Sequence, residues 1–211
     1  MMLPLLSFLL LGQAAAAQPR SASPQLGPPP KAAPVDGPIE QITFGPIFRQ
    51  RFMCAPHPMG ELDYAGDALG SDCVVTGGVA GTSGYMKFYR TDGKANEDWY
   101  GWHAEVLAPV SGTVLGILTK PENNVPGTMG PPPAGQIRIL TNDGIVVVLA
   151  HLTDFRVKAG DHVNAGQTIA LDGNNGAARN PHVHIGAWRQ RDAVPLEIRW
   201  DLRALAATWD R

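Results

Sequence analysis

The stretch QIRILTNDGIVVVLA, residues 136–150, decides the fold class. Its first five residues alternate polar and apolar side chains, which is the period of a strand with one buried face. The segment TNDG at residues 141–144 then supplies a turn, and residues 145–150 are continuously apolar, as in a strand buried on both faces. The stretch therefore predicts a β-hairpin.

The composition agrees with an all-β architecture. The chain has 211 residues with 24 Gly, 19 Pro and 44% hydrophobic residues, and this length favours one domain with a sizeable core. At the C-terminal end, residues 196–200 predict a strand, and a short helix is expected from about Leu202 to Ala207. The net charge is −2 and there is no basic stripe, which argues against nucleic acid as a partner.

The first 38 residues indicate export. An apolar run at residues 3–11 is too short to span a bilayer as a helix, and small residues follow it up to Ala17. Residues 18–38 are rich in Pro and Ala and have no apolar periodicity. We therefore expect a signal peptide at 1–17, a flexible linker at 18–38, and one globular domain at 39–211. The mature protein would be periplasmic or secreted, without stable membrane insertion.

The only two cysteines are Cys54 and Cys73. An oxidising compartment outside the cytoplasm favours their pairing. The disulfide would close a loop of roughly 20 residues and contribute on the order of 3 kcal/mol by restricting the unfolded chain.

Three of the six histidines fall in two short segments. PHVHI occupies residues 181–185, and His151 lies about thirty residues before it. Because side chains alternate along a strand, His182 and His184 would face the same side, and His151 is free to reach them from a neighbouring strand. Such a cluster is typical of a metal site or a proton-transfer site.

Further motifs surround these histidines. They are APVSGTV at residues 108–114, VKAGDHVNAGQTI at 157–169 and GNNG at 173–176, whose glycines favour tight turns. Together with the histidine segments they resemble, in order, the M23 metallopeptidases, the LytM/lysostaphin-like family of peptidoglycan hydrolases. The resemblance covers residues 106–188. It implies an antiparallel β sandwich or half-barrel of the LytM type, the duplicated hybrid motif, here with a short C-terminal helix.

The resemblance also implies an activity. It indicates an exported zinc metalloendopeptidase that cleaves peptide bonds in bacterial peptidoglycan, with a zinc-activated water assisted by two histidines. His184 would be a zinc ligand, and His151 and His182 would be the catalytic assistants. A neutral histidine can take a proton from the water and pass it to the departing amine, and a second can hydrogen-bond the developing oxyanion.

The early zinc-binding motif of the family, His-x-x-x-Asp, is missing from this chain. Asp72, which leads into an apolar strand, is the preferred carboxylate ligand. His57 lies fifteen residues earlier, but the predicted disulfide would draw it towards Asp72, which makes it the preferred second histidine ligand. Asp67 is an alternative oxygen ligand, and His103 is a less favoured histidine.

Two alternative functions can be compared with the sequence. A degenerate LytM-like module would bind peptidoglycan or regulate a partner hydrolase without catalysis, but such modules usually lose several of the histidines that this chain keeps. A lipoyl or biotinyl carrier needs a modifiable lysine at a hairpin tip, and residues 171–174 contain none. The loop at residues 121–135 is expected to wall the groove. The aromatic cluster at residues 99–102 is expected to pack in the core, and the alternative is stacking on sugars or peptide backbones at the rim of a groove.

Overall fold

The computed structural model describes residues 26–78 and 86–209, so the predicted signal peptide lies outside the described residues. In these described ranges, twelve strands, a short 3-10 helix (Asn96–Asp98) and one α-helix follow one another. They are β1 (Gln41–Phe44), β2 (Phe52–Pro56), β3 (Ser71–Val75), β4 (Glu105–Leu107), β5 (Gly112–Leu118), β6 (Gln136–Leu140), β7 (Ile145–Ala150), β8 (Leu152–Thr153), β9 (His162–Val163), β10 (Thr168–Asp172), β11 (Val183–Arg189), β12 (Glu197–Trp200) and α1 (Leu202–Trp209).

Most strands form one antiparallel sheet of seven, in the order β2-β3-β11-β7-β6-β5-β9. A three-stranded antiparallel sheet has the order β4-β10-β8, and β1 pairs with β12 in parallel. Strands β6 and β7 form the hairpin that residues 136–150 predict. The fold class is confirmed as open, mostly antiparallel β with one short C-terminal helix.

The two faces of the large sheet differ. On the strands β6 and β11 the odd-numbered residues, such as Ile137, Ile139 and Ile185, are fully buried in the main hydrophobic core. The alternate residues, including Gln136 and His184, point to the opposite face. The period of two therefore separates a packed face from a face that is free to build a site.

Tight turns at Gly160 and Gly166 shape the hairpin around β9. These residues have φ angles of +88° and +82°, in the left-handed region that glycine adopts without a steric penalty. The turn motif at residues 157–169 therefore has the backbone conformations that its glycines predict.

The start of the described chain lies against the domain. The Ala32 N–H donates to the carbonyl of Asp63 over 2.7 Å, and the Arg138 guanidinium donates to the carbonyl of Gly27 over 2.8 Å. These contacts fall within the segment predicted as a linker, whose boundaries at residues 17 and 38 stay predictions. Among the described residues, no helix is long and apolar enough to cross a membrane.

Candidate metal centre

The hairpin of β2 and β3 brings His57 and Asp72 together. Cys54 pairs with Cys73 across the two strands, and the two residues form a disulfide. The His57 N–H donates to the carbonyl of Gly70 over 2.8 Å, which continues the pairing past the end of β2. His57 and Asp72 are thus diagonal neighbours on one face of the hairpin.

Strand β11 adds His184 to this pair. Its register sets His184 opposite Asp72 on β3 and opposite Ala150 on β7. Nδ1 of His184 lies 3.0 Å from Oδ1 of Asp72, and Nε2 of His57 lies 3.4 Å from Oδ2 of the same carboxylate. The rings of His57 and His184 stack with their centroids 5.3 Å apart.

These three side chains fit a zinc ion. One donor atom from each of His57, Asp72 and His184 lies within 4.8 Å of the other two. Ligands about 2.0–2.2 Å from a tetrahedral zinc are about 3.3 Å from one another, and two imidazoles with one carboxylate are a donor set that zinc accepts. Three protein ligands would leave one position open.

The charges at the centre are strongly coupled. Burial alone would raise the pKa of Asp72, but hydrogen bonds from the surrounding histidines outweigh it and hold that pKa far below its usual range. Burial likewise opposes a charge on His184, yet hydrogen bonds to Asp67 and Asp72 raise its pKa to about 9. In the metal-free protein His184 is therefore a cation beside a carboxylate, and zinc has to displace its Nδ1 proton.

His151 and His182 lie beside the centre with their rings fixed. The Nδ1–H of His151 donates to the carbonyl of Asn175 over 2.7 Å, and the Nδ1–H of His182 donates to the carbonyl of Asn180 over 2.8 Å. With Nδ1–H committed in this way, Nε2 is the nitrogen of each ring that faces the centre. The two ring centroids are 4.5 Å apart, and Nε2 of His182 is 3.6 Å from Oδ1 of Asp72.

Burial decides the charge of His151. Burial, with smaller contributions from the neighbouring His182 and His184, lowers the pKa of this imidazole to about 3. His151 is therefore neutral at physiological pH. Its backbone has a φ of +67°, a conformation that places the residue in the sharp link between β7 and β8.

A cavity of about 460 Å³ opens onto the centre. Its lining combines the metal-centre side chains with His151, the β2–β3 loop, the start of the described chain and the loop before β6. The lining residues are Pro29, His57, Leu62, Tyr64, Gly66, Asp67, Asp72, Pro132, Pro133, Ala134, Gln136, Val148, Ala150, His151, Ala177 and His184. The loop at residues 121–135 thus contributes three residues to the wall.

The two alternative ligands have different positions. Oδ1 of Asp67 lies 3.1 Å from Nε2 of His184, on the side of the ring away from Asp72. His103 is exposed and stacks on Trp102, with ring centroids 4.2 Å apart. Tyr100 of the aromatic cluster packs against the main core, as expected.

One contact in the site could not be predicted from the sequence. The carbonyl oxygen of Gly66 lies 3.1 Å from Nε2 of His184, so the loop between β2 and β3 contacts the back of that ring. No residue type or spacing marks a main-chain acceptor. The available signal was the length of the segment between His57 and Asp72, where the family motif has three residues.

Comparison with known proteins finds one matching family model and similar curated proteins. The model of peptidase family M23 matches residues 100–196. Lysostaphin from Staphylococcus staphylolyticus is 42% identical over 51 residues, which are 24% of this chain and 11% of that protein. Lysostaphin from Staphylococcus simulans has the same identity over 51 residues. The chain thus spans about a tenth of the length of these curated relatives.

Solved structures resemble the chain at low identity. The catalytic domain of lysostaphin from Staphylococcus simulans is 20% identical with a TM-score of 0.43, covering 74% of this chain and 92% of that one. A mutant catalytic domain of the prophage-encoded M23 protein EnpA from Enterococcus faecalis is 17% identical with a TM-score of 0.47, covering 73% of this chain and 94% of that one.

Proposed function

Because the model of peptidase family M23 matches residues 100–196 of this chain, we propose that the protein is an exported zinc metalloendopeptidase that cleaves peptide bonds in bacterial peptidoglycan. The observation that carries this proposal is the convergence of His57, Asp72 and His184 beside a pair of oriented histidines at one cavity. Export is proposed from the apolar leader at residues 3–11 and is in keeping with the disulfide.

The metal ligands would be His57 through Nε2, Asp72 through its carboxylate, and His184 through Nδ1. When bound, zinc supplies Lewis-acid chemistry, which polarises a peptide carbonyl and activates a water molecule. The ionised state of Asp72 favours this role, since its pKa is far below the usual range. The anion partly offsets the charge of the ion.

His151 and His182 would transfer the proton from the attacking water to the departing amine. Each ring has its Nδ1–H committed to a main-chain carbonyl, so each accepts a proton at Nε2. A ring that has accepted one becomes a donor at the same atom and can pass the proton to the departing amine. As a donor it also stabilises negative charge on the carbonyl oxygen. The main-chain contacts fix both rings for these transfers.

The cavity would hold the peptide. Its walls are largely apolar, from Leu62, Tyr64 and the prolines at residues 132 and 133, while the floor carries the polar groups. Apolar walls with a few oriented polar groups are typical of ligand-binding sites.

The direct test uses purified peptidoglycan sacculi. We expect the zinc-loaded full chain to release soluble fragments and to generate new free amino groups, and the metal-chelated chain to release none. A His184→Ala variant is expected to be inactive as well. If the zinc-loaded protein binds sacculi but generates no amino groups, the non-catalytic binding module is the correct function and the peptidase proposal is wrong.

A further inference from the structure

We propose that Asp67 is a positioning residue that orients both histidine ligands of the metal centre, His57 and His184. The inference rests on the proposed zinc site and assigns a role to the loop that replaces the short family motif. Asp67 contacts each imidazole at the nitrogen turned away from Asp72, once through its side chain and once through its main chain.

The side chain of Asp67 acts on His184. Its Oδ1 lies 3.1 Å from Nε2, while Oδ1 of Asp72 lies 3.0 Å from Nδ1 on the opposite side of the ring. An N–H at Nε2 that donates to a carboxylate leaves the Nδ1 lone pair for a metal and makes it a better ligand. The Gly66 carbonyl also lies 3.1 Å from Nε2 and accepts from the same N–H. Asp67 and this carbonyl together therefore hold a proton at Nε2 and leave Nδ1, the nitrogen of His184 that faces Asp72, for the metal.

The main chain of Asp67 acts on His57. The Nδ1–H of His57 donates to the carbonyl of Asp67 over 3.1 Å, and Nε2 is then the nitrogen that faces Asp72. The two histidines thus use opposite ring nitrogens towards the same carboxylate. Asp67 contributes to both choices, jointly with the Gly66 carbonyl at His184.

The geometry separates Asp67 from the ligands. The two nitrogens of an imidazole diverge, so a carboxylate at Nε2 of His184 cannot bind an ion held at Nδ1 of the same ring. Asp67 also lies outside the group of three donors within 4.8 Å of one another. Its side chain is 34% exposed, so water reaches this carboxylate.

The loop is held firmly against the sheet. The Asp67 N–H donates to the carbonyl of Tyr64 over 2.8 Å, and the Gly70 N–H donates to the carbonyl of Asp67 over 3.0 Å. Gly66 lies directly on Gly186 of β11, with no room between them for a Cβ atom. The carboxylate therefore approaches His184 from a fixed backbone.

The test measures zinc affinity, by competition with a chromophoric chelator, for the full chain and three variants. Asp67→Ala removes the carboxylate, and Asp67→Asn keeps an acceptor oxygen but removes the charge. Asp63→Ala is the matched control, because Asp63 lies in the same loop with a side chain that is 78% exposed and forms an ion pair with Lys31 at the surface. The melting temperature of each metal-free protein is measured in parallel, to separate zinc affinity from folding.

We expect Asp67→Ala to weaken zinc binding by about 10- to 100-fold, Asp67→Asn to weaken it less, and Asp63→Ala to bind like the wild type. The metal-free melting temperature of Asp67→Ala should fall modestly, because Asp67 helps to stabilise the charged form of His184, and the loss of zinc affinity should exceed what this fall accounts for. If Asp67→Ala binds zinc as tightly as the wild type, the inference about Asp67 is wrong and the proposed function is unaffected. A loss of affinity that only follows a loss of metal-free stability overturns it too. A wild-type chain that takes up no zinc overturns the proposed function, and the inference with it.

Discussion

The carboxylate of Asp72 and the imidazole of His184 lie 3.0 Å apart although 112 residues separate them in the chain. The pairing of β3 with β11 produces this contact, since the two residues are directly opposite in register. His57 reaches the same carboxylate through the β2–β3 hairpin. The centre is therefore built where three neighbouring strand segments of one sheet meet.

The proposed role of His57 as a zinc ligand predicts a loss of zinc in His57→Ala. Removing one of three protein donors should reduce the zinc content of the purified protein from about one per chain to a small fraction. The control is His103→Ala, which removes an exposed histidine that stacks on Trp102. Zinc content is measured by mass spectrometry of the metal. Equal losses in both variants would contradict the assignment of His57.

His151 should matter for turnover and not for zinc. We expect His151→Ala to keep about one zinc per chain and to lose a factor of about 10² or more in kcat, as for a missing proton-transfer partner. The rate of amine release from sacculi measures this. Turnover close to that of the wild type would return His151 to a purely structural role.

Much of this site could be predicted from the sequence, because its parts have local signatures. The His-x-His pattern needs only the period of a strand to place His182 and His184 on one face. The hairpin at residues 136–150 contains a turn segment, TNDG, that is recognisable in the sequence. The pairing of His57 with Asp72 was harder to predict, because the link between their segments that the sequence offers is the disulfide between Cys54 and Cys73. In the structure, Nε2 of His57 lies 3.4 Å from the carboxylate of Asp72.

The loop between His57 and Asp72 could not be predicted in the same way. Its contact with His184 depends on the Gly66 carbonyl and on the close approach of Gly66 to Gly186, neither of which has a side-chain signature. The sequence did indicate Asp67 as an alternative oxygen ligand for the metal. It could not tell a ligand from a partner on the far side of the ring, because that distinction depends on which nitrogen of His184 each carboxylate faces.

The fit of Gly66 on Gly186 predicts that Gly186→Ala is damaging. The added methyl group would overlap the Gly66 carbonyl and push the loop outward, at a cost of about 1–3 kcal/mol. Because the displaced loop carries Asp67, zinc affinity should also fall. Gly27→Ala is the control, since a Cβ there meets open space. Unfolding by urea and zinc competition report the two effects.

Wild-type stability and zinc affinity in Gly186→Ala would contradict the close packing of the loop on β11. A fall in stability with unchanged zinc affinity would mean that the loop does not transmit its position to the metal centre.

The low pKa of His151 predicts a pH-dependent stability. Between the unfolded pKa of about 6.5 and the folded value of about 3, the unfolded chain binds a proton at this residue that the folded protein does not. The free energy of unfolding must therefore decrease as the pH falls through this window, by at most about 1.4 kcal/mol per pH unit.

The variant His151→Gln removes this contribution while leaving the other titrating groups in place. We expect the metal-free wild type to lose more stability than the variant when urea unfolding is compared at pH 7, 6 and 5. Parallel losses in the two proteins would mean that His151 titrates normally in the folded state.

The most direct test of the account is a crystal structure of the zinc-loaded protein with anomalous data collected on both sides of the zinc absorption edge. We predict one anomalous peak about 2.0–2.2 Å from Nε2 of His57, from a carboxylate oxygen of Asp72 and from Nδ1 of His184. Asp67 should remain at Nε2 of His184. A peak bound to Nε2 of His184 and Asp67, or no peak near these residues in zinc-loaded crystals, would contradict the metal centre.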